Sequence, residues 1–355
     1  MYDNFFSYYY NILLLLTLFE AVVLCFTTRV NVGDKRIIWP RLVCVVMIAL
    51  SFAVLLGYRP GSTDFGDTLL YQGAYINQDL RFNGEPVLDI ISDLCHYAHL
   101  SVEAYLSIVA VLYIGLPLLW IYTETNKYWY CLLFIVGSFS FMGYGINGIR
   151  NGLALSFILL SFKYVKDKAI LKIPFALCLI LGVLTHKSAI LPVFCLLCSI
   201  YCVKNIRTSI IIWLLAIPTS FIMGVEISSV FSLFDYDERF NSYLYGSLSH
   251  KFRWDFIAYS IVPILLALYV KHRRISVDRR YQIIANTYIL CNALWIIIIK
   301  ANFSNRFAYL SWFLYPYVIM YPILKFRIFK NTNIALGIIL LLYYAFTYTM
   351  FLIGK

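Results

Sequence analysis

Apolar runs of about 17 to 22 residues recur along the whole chain, separated by short polar and basic stretches. At 1.5 Å per helical residue, each can cross a hydrocarbon core roughly 30 Å thick. In lipid such runs must be helical, because every backbone N–H and C=O needs a partner within its own segment. The pattern predicts twelve spans: 5–26, 37–57, 101–122, 128–145, 148–165, 169–185, 188–203, 208–225, 255–270, 281–299, 307–324 and 334–353. The expected fold is an all-α polytopic membrane protein with 1–355 as one integral domain. Two of the intervening segments are long, 58–100 and 226–254.

Composition agrees with the pattern. Hydrophobic residues make up 62% of the 355 and charged residues 13%, with a mean hydropathy of +0.78. Soluble domains carry about 25% charged residues. The net charge of +11 does not point to nucleic acid, because the basic residues cluster between apolar runs. The nine cysteines are scattered through apolar segments and read as small packing residues. Cys195, Cys198 and Cys202 share a helix face, but no further Cys or His cluster follows in the neighbouring sequence to complete a metal site. The N-terminus lacks a basic region and a small-residue cleavage site, and reads as a retained first span.

Charge sets the expected orientation. With residues 27–36 on the cytoplasmic side, 19 of the 29 Lys and Arg residues fall inside, whereas 13 of the 18 acidic residues fall outside. Both termini and both long loops then lie outside. The inner loops are short, and none of them carries a phosphate-binding or dinucleotide fingerprint. Any chemistry is expected on the outer side or within the bundle.

Two residues are out of place for such a bundle. Arg150 precedes Lys163, the first inner charge of its span, by 13 residues. That is about 20 Å of helix, which places Arg150 below the outer lipid boundary. His186 follows Lys172 by 14 residues and sits equally deep. A charged side chain at depth costs at least about 2.5–3.5 kcal/mol unless it meets a partner or a wet cavity. The four glycines of Gly143-Tyr-Gly-Ile-Asn-Gly-Ile-Arg-Asn-Gly152 suit an irregular helix start. A structural ion pair is the alternative for Arg150, and a packed core histidine for His186.

The first long loop carries Arg59, Asp64, Asp67, Tyr71 and Glu85, followed by an amphipathic stretch, Val87 to Leu100. There Asp89, Asp93 and His96 fall opposite Leu88, Ile91, Leu94 and Ala98, as in a helix along the interface or over a cavity. Asp64 and Asp67 could hold a divalent metal, or simply form a solvated turn. A later polar cluster contains Asn302, Asn305, Arg306 and Tyr309. The second long loop mixes charges with aromatics, which could contact sugars or serve as membrane anchors. Together these residues gather cations around an outward-facing cavity, and a lipid pyrophosphate is the matching anion. Glycosyl transfer needs the leaving pyrophosphate stabilised and a base for the acceptor hydroxyl. His186, Asp64, Asp67 and Glu85 are the candidate bases.

At these positions the sequence resembles the EpsG family of Wzy-type exopolysaccharide and O-antigen polymerases. The resemblance rests on Arg59, Gly61, Ser62 and Asp64 with the following Tyr71, then Glu85, then Ile149-Arg150-x-Gly-Leu-Ala154. It continues through His186-Lys187-Ser188-Ala189 to Arg306 with Tyr309. Asn151 stands where the family commonly has Gln. The resemblance implies a GT-C-like, metal-independent glycosyltransferase without cofactor, in the bacterial plasma membrane with its site facing the periplasm or cell exterior. Donor and acceptor would be undecaprenyl-pyrophosphate-linked oligosaccharides, reached laterally from the bilayer, with a chain-length regulator as a candidate partner. Arg150, His186 and Asp64 would be catalytic. Arg59, Asp67, Tyr71, Glu85, Asn151, Lys187, Arg306 and Tyr309 would bind substrate. The competing readings are a membrane enzyme adding one sugar from a polyprenyl phosphate, and a flippase for lipid-linked glycans.

Overall fold

A computed structural model of the chain describes residues 2–27, 39–62, 65–78, 85–123, 128–165, 170–222, 252–273, 275, 277–300, 304–326 and 328–353. Asp64, Asn302 and nearly all of the second long loop lie outside the described residues. The chain is all-α. In order the helices are α1 (Tyr2–Thr27), α2 (Trp39–Gly57), α3 (Thr68–Ile76), α4 (Pro86–Tyr97), α5 (Val102–Tyr122), α6 (Tyr128–Val136), α7 (Phe139–Ile146) and α8 (Ile149–Ser161). They continue as α9 (Lys172–Thr185), α10 (Ile190–Tyr201), α11 (Ile206–Ile222), α12 (Trp254–His272), α13 (Arg279–Ile297), α14 (Ser304–Trp312), α15 (Tyr315–Lys325) and α16 (Thr332–Ile353).

Among the described residues, four stretches are long and apolar enough to cross a membrane: Val102–Tyr122, Trp254–His272, Arg306–Lys325 and Thr332–Thr349. Shorter apolar helices accompany them, among them Leu42–Gly57, Lys172–Thr185 and Ile206–Ile222. Large apolar side chains lie exposed along these elements, including Met47, Leu177, Leu215 and Leu342. That surface would be untenable in water and is ordinary against lipid. The chain is a membrane protein.

Two predicted runs are interrupted. The run 128–145 breaks at Gly137-Ser138, where Ser138 takes an extended backbone that ends α6 and opens α7. The run 307–324 breaks at Phe313-Leu314, and α15 restarts with Pro316 in its first turn. A proline cannot donate to the carbonyl four residues back, so a restart places it where no donor is needed.

The described residues fall into two compact units: residues 1–186 with 323–355, and residues 187–322. In the first, α5 packs between α2 and α8, α8 pairs with α9, α4 covers α5 and α9, and α1 pairs with α16. In the second, α13 is central and packs on α10, α11, α12 and α14. Its core is held by neutral polar side chains. Asn292 Nδ2 donates to Ser260 Oγ at 2.9 Å and to Ser311 Oγ at 3.0 Å, and its Oδ1 accepts from Trp213 Nε1 at 2.7 Å. Trp312 Nε1 also donates to Ser260 Oγ, and Ser209 donates to Asn286 Oδ1. Such contacts hold helices together within a bilayer at about 0.6 kcal/mol each.

Candidate active site

The local architecture brings three ionisable side chains together in the first unit. Helices α8 and α9 run antiparallel, and a side chain at Gly182 would come within 3.0 Å of the Ala154 carbonyl oxygen. This close approach fixes a register in which the start of α8 faces the end of α9. Arg150 lies in the first turn of α8, and His186 caps α9 with an extended backbone. Glu85 immediately precedes Pro86, the first residue of α4. Proline there presets the helical start without spending a donor, and α4 then packs on α9.

Glu85 joins the other two. Arg150 Nη1 donates to Glu85 Oε2 at 2.7 Å, and His186 Nδ1 lies 2.5 Å from Glu85 Oε1. Glu85 is only 5% exposed. The side chains of Arg150 and His186 remain 28% and 17% exposed. The carboxylate is therefore the inner member, and the two nitrogen-bearing groups are the accessible ones. When Glu85 is ionised it can only accept, and Nδ1 is then the protonated ring nitrogen. In the neutral imidazole this leaves the lone pair on Nε2.

A second layer supports Arg150. Its guanidinium also reaches the buried Tyr71 hydroxyl, which donates to the Asn147 carbonyl oxygen at 3.2 Å. Burial holds that hydroxyl above its usual range, although Arg150 and Arg59 oppose the shift. The Asn147 side chain accepts from the Asp67 backbone N–H at 3.0 Å. The turn before α3 thus docks onto the residue three positions ahead of Arg150. Gly66 in that turn has φ +54°, and a Cβ there would meet Asn147 Oδ1 at 2.5 Å. Only glycine satisfies both conditions.

Of the residues singled out from sequence, Arg150, His186, Glu85, Tyr71 and Asp67 share this region of the first unit. Asp67 is half-buried at the start of α3, and its carboxylate does not cap the helix. Asn151 is half-buried beside Arg150 on α8. Arg59 is 2% exposed: Nη1 donates to the Leu56 carbonyl at 2.6 Å and Nε to Thr68 Oγ1 at 2.8 Å, joining the end of α2 to α3. Burial pulls its guanidinium down to about 10, which still leaves it charged at neutral pH. Asp64 lies outside the described residues. Lys187, Arg306 and Tyr309 belong to the second unit. Lys187 is half-buried, Arg306 is exposed, and Tyr309 lies against Trp312 with ring centroids 5.4 Å apart.

Sequence reasoning missed Asn147 as a support, although it lies in the glycine-rich stretch before Arg150. It also misassigned the faces of α4. The buried face is Leu88, Ser92 and Cys95, with Ile91 partly packed, whereas Leu94 points outward. His96 turns inward, stacking on Tyr75 at 4.1 Å with Nε2 2.9 Å from the Tyr75 carbonyl oxygen.

The second unit contains a small apolar cavity of about 10 Å³ lined by Leu191, Cys195, Cys291, Trp295 and Phe307 among others. It carries no charged side chain and offers nothing to move a proton or hold an anion. Around Glu85, by contrast, ionisable side chains meet one another.

No curated protein and no solved structure matches this chain. A family model does match, over residues 42–355, a span that contains every candidate site residue and both compact units apart from α1 and the start of α2. The chain belongs to the EpsG family, a family linked to exopolysaccharide biosynthesis.

Proposed function

We propose that this protein is a polysaccharide polymerase. It transfers a glycan from an undecaprenyl-pyrophosphate donor to the non-reducing end of another lipid-linked repeat, at a site facing away from the cytoplasm of a bacterial plasma membrane. The observation that carries the reading is Glu85, a buried carboxylate holding a partly exposed arginine on one oxygen and a partly exposed histidine on the other.

Each group has a role that its surroundings favour. Glu85 orients His186, so that Nε2 can act as the general base. With both oxygens engaged and little exposure, Glu85 is the orienting group and not the base. Nε2 takes the proton of the acceptor hydroxyl as its oxygen bonds to the anomeric carbon of the donor. The bond from that carbon to the pyrophosphate oxygen breaks, and its electron pair leaves with the lipid pyrophosphate. Arg150, fixed by Glu85 and Tyr71, stabilises the charge developing on that leaving group. The imidazolium then returns its proton to water. Direct displacement inverts the anomeric centre. The chain's own residues perform these steps without a metal, and Asp67 at the edge of the site suits a sugar hydroxyl.

The test is product length. Purified protein in vesicles, supplied with the cell's own lipid-linked repeat, should yield a ladder of lipid-linked oligomers. Addition of one sugar from a polyprenyl phosphate would assign the chain to the alternative enzyme class. Translocation of the repeat without a new glycosidic bond would make it a flippase.

A further inference from the structure

Helices α3 and α4 belong to the segment between α2 and α5, which would ordinarily be read as a water-exposed loop. At 9 and 12 residues they are far too short to cross a bilayer, being about 14 and 18 Å long against a core of roughly 30 Å. Yet their outward surface is apolar. Ile90, Leu94 and Tyr97 are 56%, 63% and 87% exposed and share one face of α4, opposite the buried Leu88 and Cys95. Leu69, Leu70 and Ile76 are likewise exposed on α3. A helix that is apolar on both its inner and outer faces does not meet water on either. Among the described residues Asp93 is the charged exception on the outer face of α4.

We infer that the outer face of α3 and α4 is a lipid-binding surface, immersed in the leaflet on the Glu85 side of the membrane. Three observations fix lipid as the occupant. Through the bond between Glu85 and His186, the start of α4 sits at the His186 end of α9. There the exposed apolar row Ile173, Leu177, Ile180 and Leu184 of α9 runs out, and α4, with its own exposed apolar face, packs against that helix. The preceding helix, α2, is itself lined with exposed Val43, Met47, Leu50 and Val54 up to this segment. Finally, highly exposed tyrosines close both ends, Tyr58 after α2 and Tyr97 at the end of α4. An aromatic with a polar tip is the side chain favoured at headgroup level.

The consequence concerns depth. Glu85 opens α4, and Tyr71 lies on α3. Immersion of these helices holds both residues at the level of lipid headgroups, where a lipid-borne phosphate arrives without leaving the bilayer. The inference does not need the protein to be a polymerase.

The experiment uses the unmodified protein in phosphatidylglycerol–phosphatidylcholine vesicles with two carbene-generating probes. One is a phosphatidylcholine carrying a diazirine in its acyl chain, and the other is a small water-soluble diazirine. Adducts are mapped by mass spectrometry, with the α9 row as internal reference. The acyl probe should label Ile90 and Leu94 to within about threefold of Leu177, and the water-soluble probe should label them several-fold less. Stronger labelling by the water-soluble probe would overturn the inference. So would protection from both probes, because it would mean that a second copy or another protein covers the face. Neither outcome depends on catalytic activity, so the inference can fail while the polymerase reading stands, and the reverse.

Discussion

Two regions of this molecule bury polar side chains in an apolar bundle, and they differ in kind. Around Asn292 the groups are amides, hydroxyls and indoles, Asn292 and Ser260 are fully buried, and the amide meets three side-chain partners. Around Glu85 the groups ionise, two of the three are partly exposed, and the outer ring nitrogen of His186 is left over after its partner is served. Depth and polarity are common to both. Charge, access and unspent bonding capacity separate the brace from the reaction centre proposed around Glu85. A buried asparagine that satisfies its neighbours fixes the register of helices. A buried carboxylate that arranges two accessible groups prepares them for a third party.

The largest effect expected from breaking this contrast is at Arg150. Arg150→Ala should lower the rate of ladder formation by about 10²–10³-fold, while the purified protein keeps its melting temperature to within a few degrees. A near-normal rate would remove Arg150 from the site. At the brace the opposite split is expected. Asn292→Ala leaves Trp213, Ser260 and Ser311 short of a partner and should cost about 1–3 kcal/mol of stability. That loss is read as a lower melting temperature in detergent, with turnover per folded molecule unchanged.

Two smaller changes sharpen the comparison at the support layer. Gly66→Ala forces a side chain into the left-handed region and against Asn147, at about 1–2 kcal/mol. It should lower turnover several-fold as the turn shifts Tyr71 and Arg150, with thermal unfolding and initial rates as the readouts. Arg59→Lys keeps the charge but cannot serve Leu56 and Thr68 together. It should lower the melting temperature modestly and leave the rate within a few-fold of wild type. A rate loss as large as that of Arg150→Ala would instead place Arg59 on the substrate.

The helices were legible in the sequence because hydropathy is local: helix lies within every predicted run, with ends shifted by a few residues. The breaks at Gly137-Ser138 and Phe313-Leu314 were not legible, since small residues and a proline are tolerated within apolar runs. At the site, the depths of Arg150 and His186 could be counted from the nearest inner charges. The central role of Glu85 could not, because its partners lie 65 and 101 residues away and only packing brings them near. The faces of α4 were misread for a physical reason. With apolar residues on two sides, hydrophobicity alone does not say which side is the core, and Leu94 turned out to be on the outer one.

The measurement closest to the central claim is a double-mutant cycle on polymerisation rate, using wild type, Glu85→Gln, His186→Ala and the double variant. If Glu85 works by orienting His186, each single change should cost on the order of 10²–10⁴-fold, and the double variant should be little worse than His186→Ala. Losses that multiply, or a His186→Ala variant that polymerises at the wild-type rate, would contradict it.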